Sequence, residues 1–404
     1  MATGLDFDVC VIGAGPAGAA AALETARRGL RVALIDKATF PRDKCCGDGL
    51  TTAALRILEY LGIGVELLDH SVEVEEAYVR APSGHVARFP FPSGAGVFAA
   101  VVERSALDHS LVRAAGAAGA ELMLGSAVNN VSASADSVTV ATATSTLRAG
   151  WVVAADGAWS PTAKSLGIWD DGYLGDFHAF RQYVADVDMA AATELWVSFE
   201  RDLLPGYFWS FPLPGNRANI GFGITRKGSS PTKHMAALWR DLLDRPHIRA
   251  LLGDFTPLGP HKAWPIPAEI RGATLSSHRA LVVGDAARVA DPMTGEGIAQ
   301  AMESGILAAD AIAHGGSLEH IREHFEHAMR DSFVADQRMA RALRAALSKR
   351  WGAEGAVRLA GATPWTRRNF ARWLFEDYPR AQLFTPRRWD DGVIPHSGGA
   401  YLDD

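Results

Sequence analysis

The sequence predicts an α/β fold in which an antiparallel sheet is inserted into a doubly wound parallel domain and a helical region closes the chain. Three observations carry this. The chain opens on an apolar run at 7–12, a Gly-rich turn and an Ala-rich segment at 16–28, the pattern of a buried strand, a tight connection and a helix. Two further apolar strands, at 151–155 and 280–283, run into Asp156-Gly157 and Gly284-Asp285. Between them, at 178–225, apolar and polar residues alternate as in half-buried antiparallel strands.

The elements follow in order. Gly29 stands where a helix C-cap glycine belongs, and a second strand at 31–35 leads into Asp36, which completes a βαβ opening. The stretch 40–52 reads as loop, with Pro41, Gly47 and Gly49; helical spacing returns at 53–61 and 103–118, and short strands follow between 121 and 149. Expected strands of the inserted sheet are 180–186, 194–200, 207–212 and 217–225. A long helix at 297–313 follows the 280–283 strand. From Ile321 the chain is Arg-rich and helical to about Phe375, then loop-like with several prolines. The expected division is a discontinuous first domain of 1–75, 98–176 and 274–335, a sheet domain of 76–97 and 177–273 that takes the substrate, and a C-terminal helical region of 336–404.

Composition narrows the function. With 48% hydrophobic and 21% charged residues over 404 positions, the chain is an ordinary globular one with enough length to bury its core unaided. A net charge of -6 argues against a nucleic-acid binder. Cys10, Cys45 and Cys46 form no disulfide framework, and the first residues show no basic region followed by an apolar stretch, so a reduced, cytoplasmic protein is expected. No apolar run is long enough to span a bilayer; peripheral contact with a membrane is left open. His320, His324 and His327 share a helix face but interleave with Glu319, Glu323 and Glu326, so a solvated helix is expected there and no metal.

The chemistry lies in the glycine motifs. In Gly13-x-Gly15-x-x-Gly18, Gly13 permits the tight turn, Gly15 lets backbone approach a pyrophosphate, and Gly18 lets helix pack on strand. The helix N-terminus then offers unpaired N–H groups to phosphate. Asp36 stands where an acidic side chain meets a ribose hydroxyl. Asp156 and Asp285 can accept hydrogen bonds from a sugar-like chain, and the glycines of Gly295-Glu296-Gly297-Ile298 open a helix whose positive end would face a flavin. Three such motifs in this order point to FAD in a glutathione-reductase-type Rossmann domain.

The same motifs resemble the p-hydroxybenzoate hydroxylase superfamily. There Arg104, opening a helix after Glu103, corresponds to an arginine near the pyrophosphate, and Lys164 stands where an arginine is usual. A nearer resemblance is to the geranylgeranyl reductases. It rests on the loop Pro41-Arg42-Asp43-Lys44-Cys45-Cys46-Gly47-Asp48-Gly49-Leu50-Thr51, on Tyr207-x-Trp209-x-Phe211-Pro212 followed by Gly221-x-Gly223, and on 284–298. Cys45 stands where that family often has proline. The resemblance implies a cofactor set of Gly13, Gly15, Ala17, Gly18, Asp36, Lys37, Cys46, Gly47, Asp48, Gly49, Arg104, Val128, Asp156, Gly157, Gly284, Asp285, Pro292, Gly295, Gly297 and Ile298. It implies a substrate slot of Tyr207, Trp209, Phe211, Gly221 and Gly223, with Cys46, Tyr207 and Asp48 as candidates for the catalytic end.

Read from the residues alone, alternating aromatics on one strand and alternating glycines on its neighbour make either an apolar slot or a packed core; Cys46 is either redox-active or inert. The leading expectation is reduction of a C=C bond in an isoprenoid, a geranylgeranyl or polyprenyl chain or a prenylquinone, by hydride from reduced flavin. The alternative is a monooxygenase or oxidase of an aromatic or specialised metabolite. A halogenase is disfavoured, because no lysine occurs between Lys44 and Lys164 and the loop reads Gly-Asp-Gly. No second GxGxxG follows a strand, so NAD(P)H is expected to bind transiently, or a reduced protein carrier to serve instead.

Overall fold

The apolar run Phe7–Ile12 is the middle strand of a parallel sheet, buried on both sides by the alternation of its own side chains. Val9 and Val11 face one apolar cluster, Cys10 and Ile12 the other. In this computed structural model, which describes residues 4–226, 232–382 and 398–402, the parallel core runs Ala280–Val282, Thr146–Ala154, Phe7–Ile12, Val32–Asp36, Glu121–Leu124. The separate strand expected at 151–155 is the far half of Thr146–Ala154. Its first residues pair antiparallel with Val138–Thr142, while its later residues pair parallel with the middle strand on one side and Ala280–Val282 on the other, so one strand serves three neighbours.

Helix Pro16–Arg27 covers this sheet and crosses helix Ile298–His314 closely. Small residues permit the crossing: a Cβ on Gly305 would stand 2.1 Å from the Ala17 carbonyl oxygen. The contact fixes the two helices together, and their N-termini both open on the same pocket.

The second sheet runs Thr256–Pro257, Phe177–Ala185, Arg217–Thr225, Tyr207–Leu213, Leu195–Ser198, Glu76–Arg80, Val86–Pro90. All its pairings are antiparallel except the one between Leu195–Ser198 and Glu76–Arg80. Helices Thr232–Asp244 and Pro246–Leu252, not anticipated from the sequence, cover one face of it, where Trp239, Leu242 and Leu252 pack with Phe180, Phe208 and Phe222. The C-terminal region forms helices Leu318–Leu347, Arg350–Ala360 and Pro364–Leu374. Much of the proline-bearing loop expected beyond Phe375 lies outside the described residues. The chain is described again at 398–402, where Ala400 bridges to Val97 and the Tyr401 hydroxyl donates to the Ile63 carbonyl at 2.9 Å. Among the described residues no helix is long and apolar enough to cross a membrane.

Candidate active site

Three parallel strands end on one edge, at Ile12, Ala154 and Val282, and the residues that follow them are the glycine and aspartate motifs. Gly13, Asp156, Gly157, Gly284 and Asp285 therefore line one pocket, joined by Asp36 and Lys37 from the neighbouring strand end. A cavity of about 400 Å³ opens there, a size that holds a sizeable ligand. The carboxyl edge of a doubly wound sheet is where such ligands bind.

Backbone geometry at the first turn leaves little choice of residue. Gly13 has φ +99, and a Cβ there would lie 2.4 Å from the Ala155 carbonyl oxygen. Gly15 is the N-cap of Pro16–Arg27 and supplies no side-chain cap, so the first N–H groups face the pocket without a protein side chain on them. Gly297 stands in the same relation to Ile298–His314. Arg42 and Arg104 are bridged by the buried Asp108: Arg104 bonds it twice, at 2.8 and 2.9 Å, and Arg42 pairs with it at 3.1 Å. Arg42 comes within 3.7 Å of a Cβ on Gly15. Its position in the expected loop was legible; its proximity to the glycine turn was not.

The aspartates divide the work. Asp36 accepts from the N–H groups of Ala14 at 2.7 Å and Ala38 at 2.8 Å, which locks its carboxylate at the strand end. Asp156 accepts from the Ser160 hydroxyl and the Thr162 N–H, so it is held by the turn that follows it. Asp285 lines the pocket, and among the described residues nothing hydrogen-bonds its carboxyl group. Burial holds the Asp285 carboxyl above the ordinary range, against the pull of Lys44 and Arg104. Uncapped helix ends, paired guanidiniums and an unpartnered carboxyl group facing one cavity fit a dinucleotide with a hydroxylated chain, as FAD has.

Three residues expected at the cofactor do not line this pocket. Gly18 lies beneath it, where a Cβ would meet the Gly13 carbonyl oxygen at 1.8 Å. Val128 packs into the apolar cluster of Cys10 and Ile12, on the opposite sheet face from Val9 and Val11. Pro292 is buried behind its loop, beside an Asp291 tied to Arg380 at 3.2 Å.

At the other end of the pocket the loop Cys46-Gly47-Asp48-Gly49 lies against Phe211. A Cβ on Gly47 or Gly49 would come within 3.3 Å of that ring, which is why the loop alternates glycine. Asp48 is wholly buried with φ +67, a left-handed conformation that Asp tolerates better than most residues. Its Oδ2 accepts from the Tyr183 hydroxyl at 2.6 Å and from Asn219 Nδ2 at 2.8 Å, while its Oδ1 has no partner. Burial pushes this carboxyl up to about 7, although Tyr183, Arg181 and Asn219 pull it down. The Cys46 sulfur accepts from the Asp48 N–H at 3.4 Å, and burial raises its thiol despite nearby Arg104, so it is a neutral thiol rather than a thiolate.

The aromatic motif folds as its alternation requires, but only half of the expected slot is open. Tyr207 stands opposite Gly223 and Trp209 opposite Gly221. The Trp209 ring lies over Gly221, where a Cβ would meet it at 2.3 Å and the Phe180 carbonyl oxygen at 2.3 Å. Gly221 thus makes room for Trp209 and does not line the pocket, whereas a Cβ on Gly223 would meet nothing within 4 Å. The Trp209 N–H donates to Asn219 Oδ1 at 3.1 Å, and Asn219 Nδ2 also donates to the Cys46 carbonyl at 2.8 Å. The Tyr207 hydroxyl donates to the Thr294 carbonyl, joining this sheet to the loop before helix Ile298–His314.

The FAD binding domain family matches residues 6–316. Menaquinone reductase of Mycolicibacterium smegmatis is 32% identical over 347 residues, 79% of this chain and 81% of that protein. Digeranylgeranylglycerophospholipid reductase 2 of Methanopyrus kandleri is 31% identical over 331 residues, 76% of this chain and 77% of that one. The chain belongs to the geranylgeranyl reductase family of FAD-dependent oxidoreductases. The solved structure of a geranylgeranyl bacteriochlorophyll reductase-like protein from Thermoplasma acidophilum shares the fold, with a TM-score of 0.78, 21% identity, and coverage of 94% of this chain and 98% of that one.

Within this family fold, sequence reasoning missed three polar residues at the aromatic end of the pocket. Tyr183 and Asn219 lie on expected strands, but nothing in their spacing announces that both reach Asp48. Glu296 is visible inside the Gly-Glu-Gly motif, where the sequence shows only a helix start. It lines the pocket near Gly49, and among the described residues its carboxyl group has no hydrogen-bond partner. Burial pushes it up to about 8; the Glu376 carboxylate adds to this and Arg380 opposes it.

Two glycine variants should separate a slot residue from a packing residue. Gly223→Leu is expected to retain FAD and thermal stability while raising KM for long substrates at least roughly tenfold, because it fills open space. Gly221→Ala is expected to lower stability by about 1–3 kcal/mol, since ring and backbone must both move. Steady-state kinetics and thermal unfolding check the pair; equal KM for Gly223→Leu and wild type would remove Gly223 from the slot.

Proposed function

We propose that this oxidoreductase reduces C=C bonds of an isoprenoid chain. The supporting observation is one continuous pocket with a phosphate-and-sugar end at Gly15 and Asp285, and an apolar end at Tyr207, Trp209 and Phe211. The relatives named above act, by name, on a menaquinone and on a digeranylgeranyl lipid, molecules with prenyl chains of this kind.

When bound and reduced, by NAD(P)H or by a reduced protein carrier, FAD supplies the hydride. An isolated alkene accepts hydride poorly, so the protein must provide a proton and a dry groove. Trp209 and Phe211 form the apolar wall that excludes water. Tyr207 holds the wall against the cofactor-side loop through Thr294. Glu296, protonated at neutral pH, holds a proton at its carboxyl group beside Gly49; Asp48, near its midpoint, is fixed by Tyr183 and Asn219 so that only Oδ1 is free. Cys46 keeps a neutral thiol at the same end and positions the loop. Cys46→Ala is expected to retain FAD and to lower turnover, and normal turnover in that variant would take Cys46 out of the mechanism.

The reaction is tested by reducing the bound flavin anaerobically with dithionite, adding prenyl diphosphates, prenylated glycerolipids and menaquinones, and recording flavin reoxidation and product mass. Reoxidation with a gain of two hydrogens in the product supports the reading and names the substrate. A flavin that stays reduced with every substrate until oxygen is admitted overturns it in favour of the monooxygenase or oxidase.

A further inference from the structure

Helices Arg350–Ala360 and Pro364–Leu374 turn their inner faces to strand Val86–Pro90. Val357 and Ala371 are buried in the same apolar cluster as Trp209 and Phe211, and Phe370 lies 4.8 Å from Phe89. Because both helices spend their small apolar residues on one strand, both outer faces look away from the sheet. Those outer faces carry large apolar side chains in water: Trp351 and Leu359 are each 75% exposed and Trp365 67%. At about 3.6 residues per turn, Trp351, Arg358 and Leu359 share one side of the first helix, opposite the buried Ala353. Trp365 and Arg372 share a side of the second, with the exposed Arg368 at its edge, and Arg372 is held by the buried Asp377.

The charge on these helices is the reverse of that of the whole chain. Residues 349–372 hold six basic side chains, Lys349, Arg350, Arg358, Arg367, Arg368 and Arg372, against the single acidic Glu354, in a protein of net charge -6. Glu354 itself is engaged by the Ser83 hydroxyl at 2.8 Å and by Arg358. Exposed tryptophan beside guanidinium is the combination that a lipid headgroup layer accepts: the indole sits at the boundary of acyl chain and headgroup, and the cation meets phosphate. A second copy of this chain fits the surface less well. An isologous dimer through it would bring the basic face of one copy against the same face of the other.

We propose that the outer faces of these two helices dock the protein on an anionic membrane surface. Trp351, Leu359 and Trp365 enter the headgroup region, and Arg358 and Arg368 bind lipid phosphates. The inner faces of the same helices rest on the apolar cluster that Trp209 and Phe211 share, so docking brings that cluster toward the bilayer. The surface stands on exposure and charge alone. Its meaning for turnover rests on the isoprenoid reading, and the test below involves no turnover, so each can fail separately.

The test uses FAD-loaded protein sedimented with vesicles of phosphatidylglycerol and phosphatidylcholine, and with phosphatidylcholine alone, at low and high salt. Roughly tenfold more protein is expected on the anionic vesicles at low salt, with release at high salt. Two variants, Trp351→Ser with Leu359→Ser and Trp365→Ser, and Arg358→Glu with Arg368→Glu, are expected to stay in the supernatant with wild-type flavin absorbance. Absence of binding to the anionic vesicles, or equal binding by both variants and wild type, overturns the proposal. So does a dimer in sedimentation velocity that the apolar variant splits, since a second copy would then cover this face.

Discussion

Gly18→Ala is expected to yield protein without bound flavin. The added Cβ would stand 1.8 Å from the Gly13 carbonyl oxygen and 3.0 Å from the Ala155 Cβ, and the first of these is backbone that cannot swing aside. Helix Pro16–Arg27 must therefore lift from the strand end. The helix is also pinned on its other side, where Gly305 approaches the Ala17 carbonyl oxygen, so a lift at Gly18 strains that crossing too. Overpacking of this kind costs about 1–3 kcal/mol of stability. The loss at the cofactor is larger, because the N–H groups at Gly15 and the guanidinium of Arg42 no longer converge on one point. A fall of at least roughly a hundredfold in FAD affinity is expected. Flavin absorbance of the purified variant, with a thermal unfolding curve to show that it folds, decides the matter. Full flavin occupancy would mean that the close helix–strand approach is dispensable for binding.

The parts of the site that were legible in sequence are those where backbone geometry dictates residue type. Gly13, Gly157, Gly284 and Gly295 all have positive φ, and their positions relative to apolar runs announce strand ends. Alternation likewise placed Tyr207, Trp209 and Phe211 on one face. What sequence could not give is depth. Gly221 and Gly223 look alike in a string of letters, yet one is filled by Trp209 and the other is open, because cross-strand register decides which ring lies over which gap. Asp156 and Asp285 look equivalent at strand ends, yet Ser160 and Thr162 engage only the first. Tyr183 and Asn219 meet Asp48 across 135 and 171 residues, a convergence that no local spacing encodes. The helices at 232–252 were missed although Met235, Trp239 and Leu242 follow helical spacing, because the surrounding strands set the expectation of sheet.

Glu296→Gln is expected to lower turnover by about a hundredfold with FAD still bound, the ordinary scale for removing a positioned proton donor. Glutamine keeps the shape and polarity of the side chain and removes only the proton. Tyr207 commits its hydroxyl to Thr294, and the Cys46 thiol, raised further by burial, gives up its proton less readily than a carboxyl group. Asp48 shares Oδ2 between two donors, which favour its ionised form, and burial alone keeps it near 7. Glu296 has no such donors, so its carboxyl group is pushed further, to about 8, and stays protonated at neutral pH. The acid form is the active one, so wild-type turnover is full below that value and declines as pH rises through it. Glu296→Gln should lose this alkaline limb along with its rate. Asp48→Asn separates the two carboxyl groups, for if Asp48 were the donor, the decline would begin near 7 and would vanish in Asp48→Asn. The measurement is reoxidation of the prereduced flavin by substrate across pH. Wild-type rate and an unchanged alkaline limb in Glu296→Gln would remove Glu296 as the donor, and loss of that limb in Asp48→Asn would give the role to Asp48.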